Sequence, residues 1–549
     1  MSARRESLTL ANPEKAPIEP VEPAGLGDHL RGRQFSVDAT DVGIVTADQN
    51  KLHRNLQGRH MQMIAIGGAI GAGLFVSSAS AFETGGPAAV LLGFMIIGGM
   101  IYLMTQALAE LAVMYPINGA FTMYICRFVD PSWGFACGWE YGIGWLTVLP
   151  FEISAACNVE FILSAMKIIA CVGFMILGII INCGGVPTDN RGYIGAKYWH
   201  SPYSAFLNGF HGFCTVFVTA SFAFGGTELT GLAAAEARDP RKEIPKATRQ
   251  VVWRICIFYI VNLFIVGLIV PANSPLYQSE GSESRHSPFV IAIELAGIKA
   301  LPSIFNAMIL ISVMSVANSC TFASTRTFQA LAANGMGPKI FAYVDKKGRP
   351  VTVIILQLLF GCLAFLNLDT SGGGNIFNWL LALSGLSSFF IYGSIAVAHI
   401  RFRRAWKLHG HSVDELPFKA AFGIWGSYVC AVMNFLCLTA QFYVALWPVG
   451  GPNLNAVVFF QDYLAGPFLL ALYIGWKLYS WFAHPEQRPF YVKIKDIDIY
   501  TGMREGQLEL ISGDHISPDQ RRASIHEIQE EQKKRGAADY AKAAFHSVF

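Results

Sequence analysis

The sequence predicts an all-α polytopic membrane protein, and three observations carry that reading. Hydrophobic residues make up 53% of the 549-residue chain and charged residues only 14%, where a soluble globular chain carries about 25% charged. Mean hydropathy is +0.40. Apolar segments follow one another from residue 62 to residue 481, most of them near the roughly 20 residues that cross a hydrocarbon core of about 30 Å. A closed β-barrel would instead show alternating strands of about ten residues.

In chain order, residues 1–57 are polar, with Pro13, Pro17, Pro20 and Pro23 among mixed charges, and read as a disordered tail. The segments 62–82, 86–113, 135–157, 161–182, 209–233, 251–271, 302–322, 351–368, 376–400, 423–447 and 456–481 are apolar and read as helices, because lipid leaves no partner for backbone groups outside a helix. Together they form a transmembrane domain over 58–483. Residues 484–549 turn polar again as a second tail. No h-region precedes the first segment, so that segment is expected to act as its own insertion signal. The 11 Cys contain no Cys-x-x-Cys pair and lie in or beside apolar stretches, which reads as buried small thiols and no metal or disulfide framework. A net charge of +3 is too small to suggest nucleic acid. Basic residues gather at Lys51–Arg59, Arg127, Arg238–Arg254, Lys339–Arg349, Arg401–Lys407 and Lys477. By the positive-inside rule these loops, and the N-terminus with them, face the cytosol.

Two segments are interrupted by glycine. The first reads Ile64-Ala-Ile-Gly-Gly-Ala-Ile-Gly-Ala-Gly-Leu-Phe75, and its glycines allow the backbone to leave helical geometry. Freed N–H groups at the start of the following half-helix suit a carboxylate. Small-xxx-small helix packing explains Gly67 and Gly71 equally well. The second, Phe222-Ala-Phe-Gly-Gly-Thr-Glu-Leu-Thr-Gly231, also places an ionisable group, Glu228, at membrane depth. Paired broken spans in the two halves of a chain point to the substrate site of an inverted-repeat transporter. One break would take a carboxylate and the other an ammonium, which is zwitterion chemistry.

The stretches Gly67 to Phe75, Thr84-Gly-Gly-Pro87, Asp130-Pro-Ser-Trp-Gly-Phe135, Leu149-Pro-Phe-Glu152, Phe224-Gly-Gly-Thr-Glu228, Asp239 to Lys246, Ser324-Thr-Arg326, Pro338 to Asp345 and Asp496 to Gly502 resemble the fungal amino acid permeases of the amino acid–polyamine–organocation superfamily. The resemblance covers about residues 50 to 505. It implies a leucine-transporter-like fold, with inverted five-helix repeats plus two extra helices, and proton-coupled uptake of amino acids at the plasma membrane. The proton gradient is then the driving force, and no cofactor is needed. Partners are the amino acid and the bilayer. The tails, with Lys15 and Lys51, are where trafficking or ubiquitin-ligase adaptors would bind.

Carried over residue by residue, the resemblance assigns the carboxylate to Gly71, Ala72 and Gly73, and the ammonium to Phe224, Gly225, Gly226 and Thr227. Ala72 stands where the family usually has Thr, so a hydroxyl near the carboxylate is missing. Gly144 and Ser384 are offered for the side-chain pocket, Gly144 leaving room for a large side chain. Charges inside spans are costly and default to function. Glu152 is therefore read as pocket-lining near the amine, and Glu228 as proton-coupling. Lys167 is a second coupling candidate, because superfamily members set a fifth-span Lys against the first break. Glu140 reads as interfacial and His399 as a hydrogen-bonded boundary residue. A permease-like sensor that binds without transporting is the alternative. No Gly-x-Ser-x-Gly, His-Glu-x-x-His or P-loop suggests an enzyme.

One element is expected to be missing. Three segments separate the basic loops at Arg127 and Arg238–Arg254, and an odd number of crossings cannot return the chain to one side. Residues 135–182 as a single helix would be about 72 Å long, so the chain must fold back, and its only polar break is Asn158-Val159-Glu160. The family has a further span and a short connection there. The sequence therefore predicts loss of the fourth helix of the first repeat, about eleven spans instead of twelve, and a strained or misoriented 158–182 segment.

Overall fold

Within hydrocarbon a backbone amide finds partners only inside a helix, and every regular element of this computed structural model is helical. It describes residues 70–71, 73–148, 157–237, 239–277, 287–345, 348–362 and 373–503. The first span appears as a π-helical turn, Gly73–Ser77, leading into α1 (Ser78–Gly85). Then come α2 (Pro87–Met114), α3 (Ala120–Phe128), α4 (Pro131–Val148), α5 (Cys157–Asn182), α6 (Gly209–Phe224), α7 (Leu229–Leu232) and α8 (Pro240–Arg254). A second π segment, Ile255–Val261, carries α8 into α9 (Asn262–Ile269). The remainder is α10 (Pro288–Leu295), α11 (Leu301–Ala333), α12 (Val351–Gly361), α13 (Gly373–Leu408), α14 (Gly423–Leu446), α15 (Ala456–Tyr463) and α16 (Ala465–Ala483). Pro87, Pro131, Pro240 and Pro288 open their helices, at the one position where a missing N–H costs nothing.

Among the described residues seven helices are individually long and apolar enough to cross a membrane, and the pair α15–α16, bent by 73°, makes an eighth if it is one span. The expected span at 62–82 is described only from Ile70 onward, and α4 and α12 are 18 and 11 residues long. Large apolar side chains stay exposed on the outer faces, among them Ile169, Ile176 and Ile180 of α5 and Trp425, Val432 and Phe435 of α14. Stripes of that kind belong against lipid.

Two boundaries differ from the sequence reading. Arg238–Arg254 reads as a loop, yet from Pro240 it is helical and runs into the following span. Pro240 sits at the first helical position and Glu243 in the first turn, where a negative charge favours a start. The segment expected to end at 322 continues to Ala333. Its hydroxyls bond back along the helix, Thr325 Oγ1 to Thr321 O at 2.6 Å and Thr327 Oγ1 to Ala323 O at 2.8 Å, so polar residues do not leave it.

The basic clusters converge on one end of the bundle. There Lys477 of α16 pairs with Asp130 at 2.9 Å, and Arg401 of α13 donates to Phe128 O and Val492 O. The buried Glu110 of α2 is held by Arg403 at 2.6 Å, His399 at 3.0 Å and the Ala420 N–H at 2.7 Å. A carboxylate taken out of water needs that many donors. His399 also bonds Ser427 at 2.8 Å. Arg326 of α11 holds Glu236, four residues beyond α7, at 2.5 Å. The described part of the C-terminal tail lies against this end, with Tyr115 Oη donating to Ile499 O at 2.7 Å and Val492 N–H to Val129 O at 2.9 Å.

The opposite end is closed by residues 183–208. Asn208 donates to Thr84 O at 2.9 Å, and Arg191 pairs with Asp189 at 2.8 Å and donates to Ile269 O at 2.8 Å. Although burial opposes the charge, the Arg191 guanidinium holds the Asp189 carboxyl below its ordinary range.

Helices α4 and α5 run in the same direction. Trp139 of α4 donates to Met336 O and Gly142 lies against Phe328, so α4 is antiparallel to α11. Phe174 of α5 packs on Phe305 while Lys167 faces Cys320, so α5 is antiparallel to α11 as well.

Candidate functional site

The second glycine-interrupted segment is broken where the sequence predicts. After Phe224 the backbone turns at Gly225, with ψ 144°, and Gly226 takes φ +94°, a region that glycine enters without a Cβ clash. Thr227 Oγ1 caps Phe224 O at 2.7 Å, and Tyr259 Oη caps Ala223 O at 2.9 Å. The chain re-enters helix at Leu229. The Phe224 carbonyl also takes the Thr227 N–H at 3.4 Å, and the Gly226 carbonyl takes the Leu229 N–H at 3.2 Å.

Glu228 is buried in the break. Its carboxyl accepts Tyr141 Oη of α4 at 3.0 Å, Tyr392 Oη of α13 at 3.0 Å and the Gly226 N–H at 3.2 Å. One side chain thus ties the broken span to two other helices. Sequence reasoning singled out Glu228 and missed both tyrosines. A tyrosine at membrane depth needs a partner for its hydroxyl, which is the signal that could have found them.

The first break lies against the second. A Cβ on Gly73 would sit 2.3 Å from Ala223 Cα, and one on Gly71 would sit 2.2 Å from Val316 Cγ2. Both values are far inside van der Waals contact, and at Gly73 the obstruction is backbone, so only glycine allows that approach. Gly73→Ala is expected to reduce uptake per surface molecule by about tenfold, the equivalent of 1–2 kcal/mol of overpacking. Labelled amino acid uptake normalised to surface protein checks this, and wild-type flux in the variant would show the approach to be dispensable. Ala72 and Glu152 lie outside the described residues.

Gly144 of α4 faces α13, where an added Cβ would lie 3.3 Å from Ser387 Oγ and 3.9 Å from Ser384 Cα. The buried Ser387, not named by the sequence reading, occupies much of the room expected opposite Gly144. The next residue, Gly385, packs on Val218 and Phe222 of α6, so this pair joins the same site. Lys167 is fully buried on α5. Phe174, two turns along the same face, shares Phe289 and Phe305 with Phe75 of the first span. Glu140 is fully buried on α4, which begins at Pro131. Among the described residues no group of three metal-ligating side chains gathers.

The structure thus brings together Gly71, Gly73, Phe224 to Glu228, Gly144 and Ser384, and adds Tyr141, Tyr392 and Ser387. Glycine backbone from the two segments meets beside a carboxyl held by two tyrosines.

The amino acid permease family model matches residues 60–159 and 155–487. The chain is 46% identical to the general amino-acid permease GAP2 of Candida albicans, covering 86% of this chain and 85% of that protein. It is 46% identical to the general amino-acid permease GAP1 of Saccharomyces cerevisiae, covering 86% and 84%. It is 44% identical to cationic amino acid transporter 1 of Schizosaccharomyces pombe, covering 91% and 92%. The GAP2 alignment runs over 510 positions but takes in 86% of 549 residues, about 472, leaving about 38 positions opposite gaps in this chain. Among solved structures it is similar to the manganese transporter of Eremococcus coleocola, at TM-score 0.45 and 13% identity over 79% of this chain and 95% of that one.

Proposed function

From the premise that the chain belongs to the amino acid permease family, we propose that it is a proton-coupled amino acid transporter of the plasma membrane working by alternating access. The observation that carries this reading is Glu228, buried in the broken span and bonded to Tyr141 and Tyr392. In this reading the N–H groups of Gly71, Ala72 and Gly73 take the substrate carboxylate, and the carbonyls from Phe224 to Thr227 take its ammonium. Gly144 and Ser384 border its side chain, and Glu152 lines the pocket near the amine.

Glu228 is the latch. As a carboxylate it accepts two hydroxyls and an N–H, and a proton on it would turn one oxygen into a donor and release a partner. Gaining a proton would therefore loosen α4 and α13 from the break. Lys167 is the second coupling charge. Uptake of labelled amino acids into permease-deficient cells, at an acidic and a neutral external pH, tests the reading. Faster uptake at the acidic pH, abolished by a protonophore, is expected. No uptake at either pH despite surface expression would refute it.

We also propose that this chain lacks the fourth helix of the first repeat. The parallel run of α4 and α5, the two family matches meeting at residues 155–159 and the roughly 38 unmatched aligned positions support that reading. A conduit short of one wall would bind better than it carries, which is what favours the alternative of a sensor. Sequencing the transcript across codons 157–160 decides the origin. If the transcript encodes the shorter chain, restoring a relative's segment there is expected to raise flux, and unchanged flux would argue against the deletion as the cause.

A further inference from the structure

Glu140 lies one residue before Tyr141, at the tenth of the 18 positions of α4. It is fully buried, and neither carboxyl oxygen has a hydrogen-bond partner among the described residues. Glu228 is also buried, but three donors converge on it. The contrast sets their states apart. Converging donors suit an anion. An isolated carboxylate without water or partner costs far more than the neutral acid, so Glu140 holds its proton in this conformation.

Nothing charged on the helices packed against α4 competes for it. From α16, Lys477 bonds to Asp130. From α11, Arg326 is engaged by Glu236. From α3, Arg127 lies over the Tyr115 ring, and α12 contributes no charged residue. From α13, Tyr392 is given to Glu228, His399 and Arg403 to Glu110, Arg401 to Phe128 O and Arg404 to Tyr428, while Lys407 is exposed. Ser394 bonds Cys137 at 3.8 Å and Trp133 at 2.8 Å. Cys137 lies one turn back on α4 and is engaged by Ser394.

We infer that Glu140 is the carboxyl that carries the coupled proton, an assignment that rests on the proton-coupled reading above. While Glu228 is latched by the two tyrosines, Glu140 is a neutral acid. When the latch opens and water reaches α4 from the basic end, the Glu140 O–H bond breaks, the proton leaves on that water, and the carboxylate remains hydrated. It is reprotonated when the site next opens to the other side. Two carboxyls on adjoining structure then divide the work, one gating and one carrying.

The test uses the full chain and Glu140→Gln, which keeps the shape of the protonated acid. Proton influx accompanying amino acid uptake is measured beside labelled flux, and the infrared band of a protonated carboxyl is recorded on purified protein. In the variant the expected result is loss of amino-acid-dependent proton influx and loss of that band. Proton influx that persists in Glu140→Gln overturns the assignment while leaving the transport reading intact. A wild type that moves amino acid without protons overturns the coupled reading and this assignment together. Where the variant carries no amino acid, the band decides, and its persistence overturns the assignment.

Discussion

Glu228→Ala is expected to lower uptake per surface molecule at least about 100-fold. The substitution leaves the Tyr141 and Tyr392 hydroxyls and the Gly226 N–H without their acceptor in a buried site. Each orphaned donor costs about 1–3 kcal/mol, and about 1.4 kcal/mol is already tenfold. Glu228→Gln keeps one acceptor oxygen but no charge, so a smaller loss is expected, together with weaker dependence on external pH. Tyr141→Phe and Tyr392→Phe each remove one contact. Combined with Glu228→Ala they are expected to add little, because partners in one network are not additive. Uptake in the four variants and the two doubles measures this. Glu228→Ala retaining a tenth of wild-type flux, or full additivity with both tyrosines, would show the latch to be incidental.

Arg326→Ala is expected to be the most destabilising single change, at about 3–5 kcal/mol, the cost of leaving a buried charge unpaired. Arg326 donates twice to Glu236, at 2.5 and 3.3 Å, and both side chains are largely out of solvent, 15% and 9% exposed. The pair joins the segment just beyond the second break to α11, so it fixes the end of the broken span. Adding Glu236→Gln to Arg326→Ala removes the stranded charge and is expected to recover much of the loss. Thermal unfolding in detergent reads both effects. A shift within scatter for Arg326→Ala, or no recovery in the double variant, would place the pair among exposed ion pairs worth little.

Much of the fold was legible because lipid imposes one local rule. Apolar runs of about 20 residues become helices whatever their neighbours do, so segments such as 86–113, 209–233 and 423–447 were placed within a few residues. The second glycine break was legible for a local reason too, since Gly225-Gly226 beside Glu228 is a poor helix in any setting. The failures lie where polarity and burial part company. Arg238–Arg254 reads as a loop by charge but continues a span as helix, because Pro240 and Glu243 make a strong start.

The sequence by itself determined the membrane class and the break at Gly225-Gly226, since each is a property of one segment. Only the tertiary structure decided that Tyr141 and Tyr392 meet on Glu228, that Ser387 stands opposite Gly144, that Glu236 is held by Arg326 and that the Glu140 carboxyl has no hydrogen-bond partner among the described residues. Those contacts join residues up to 243 positions apart, and no periodicity along one helix specifies which face another helix will bring to it.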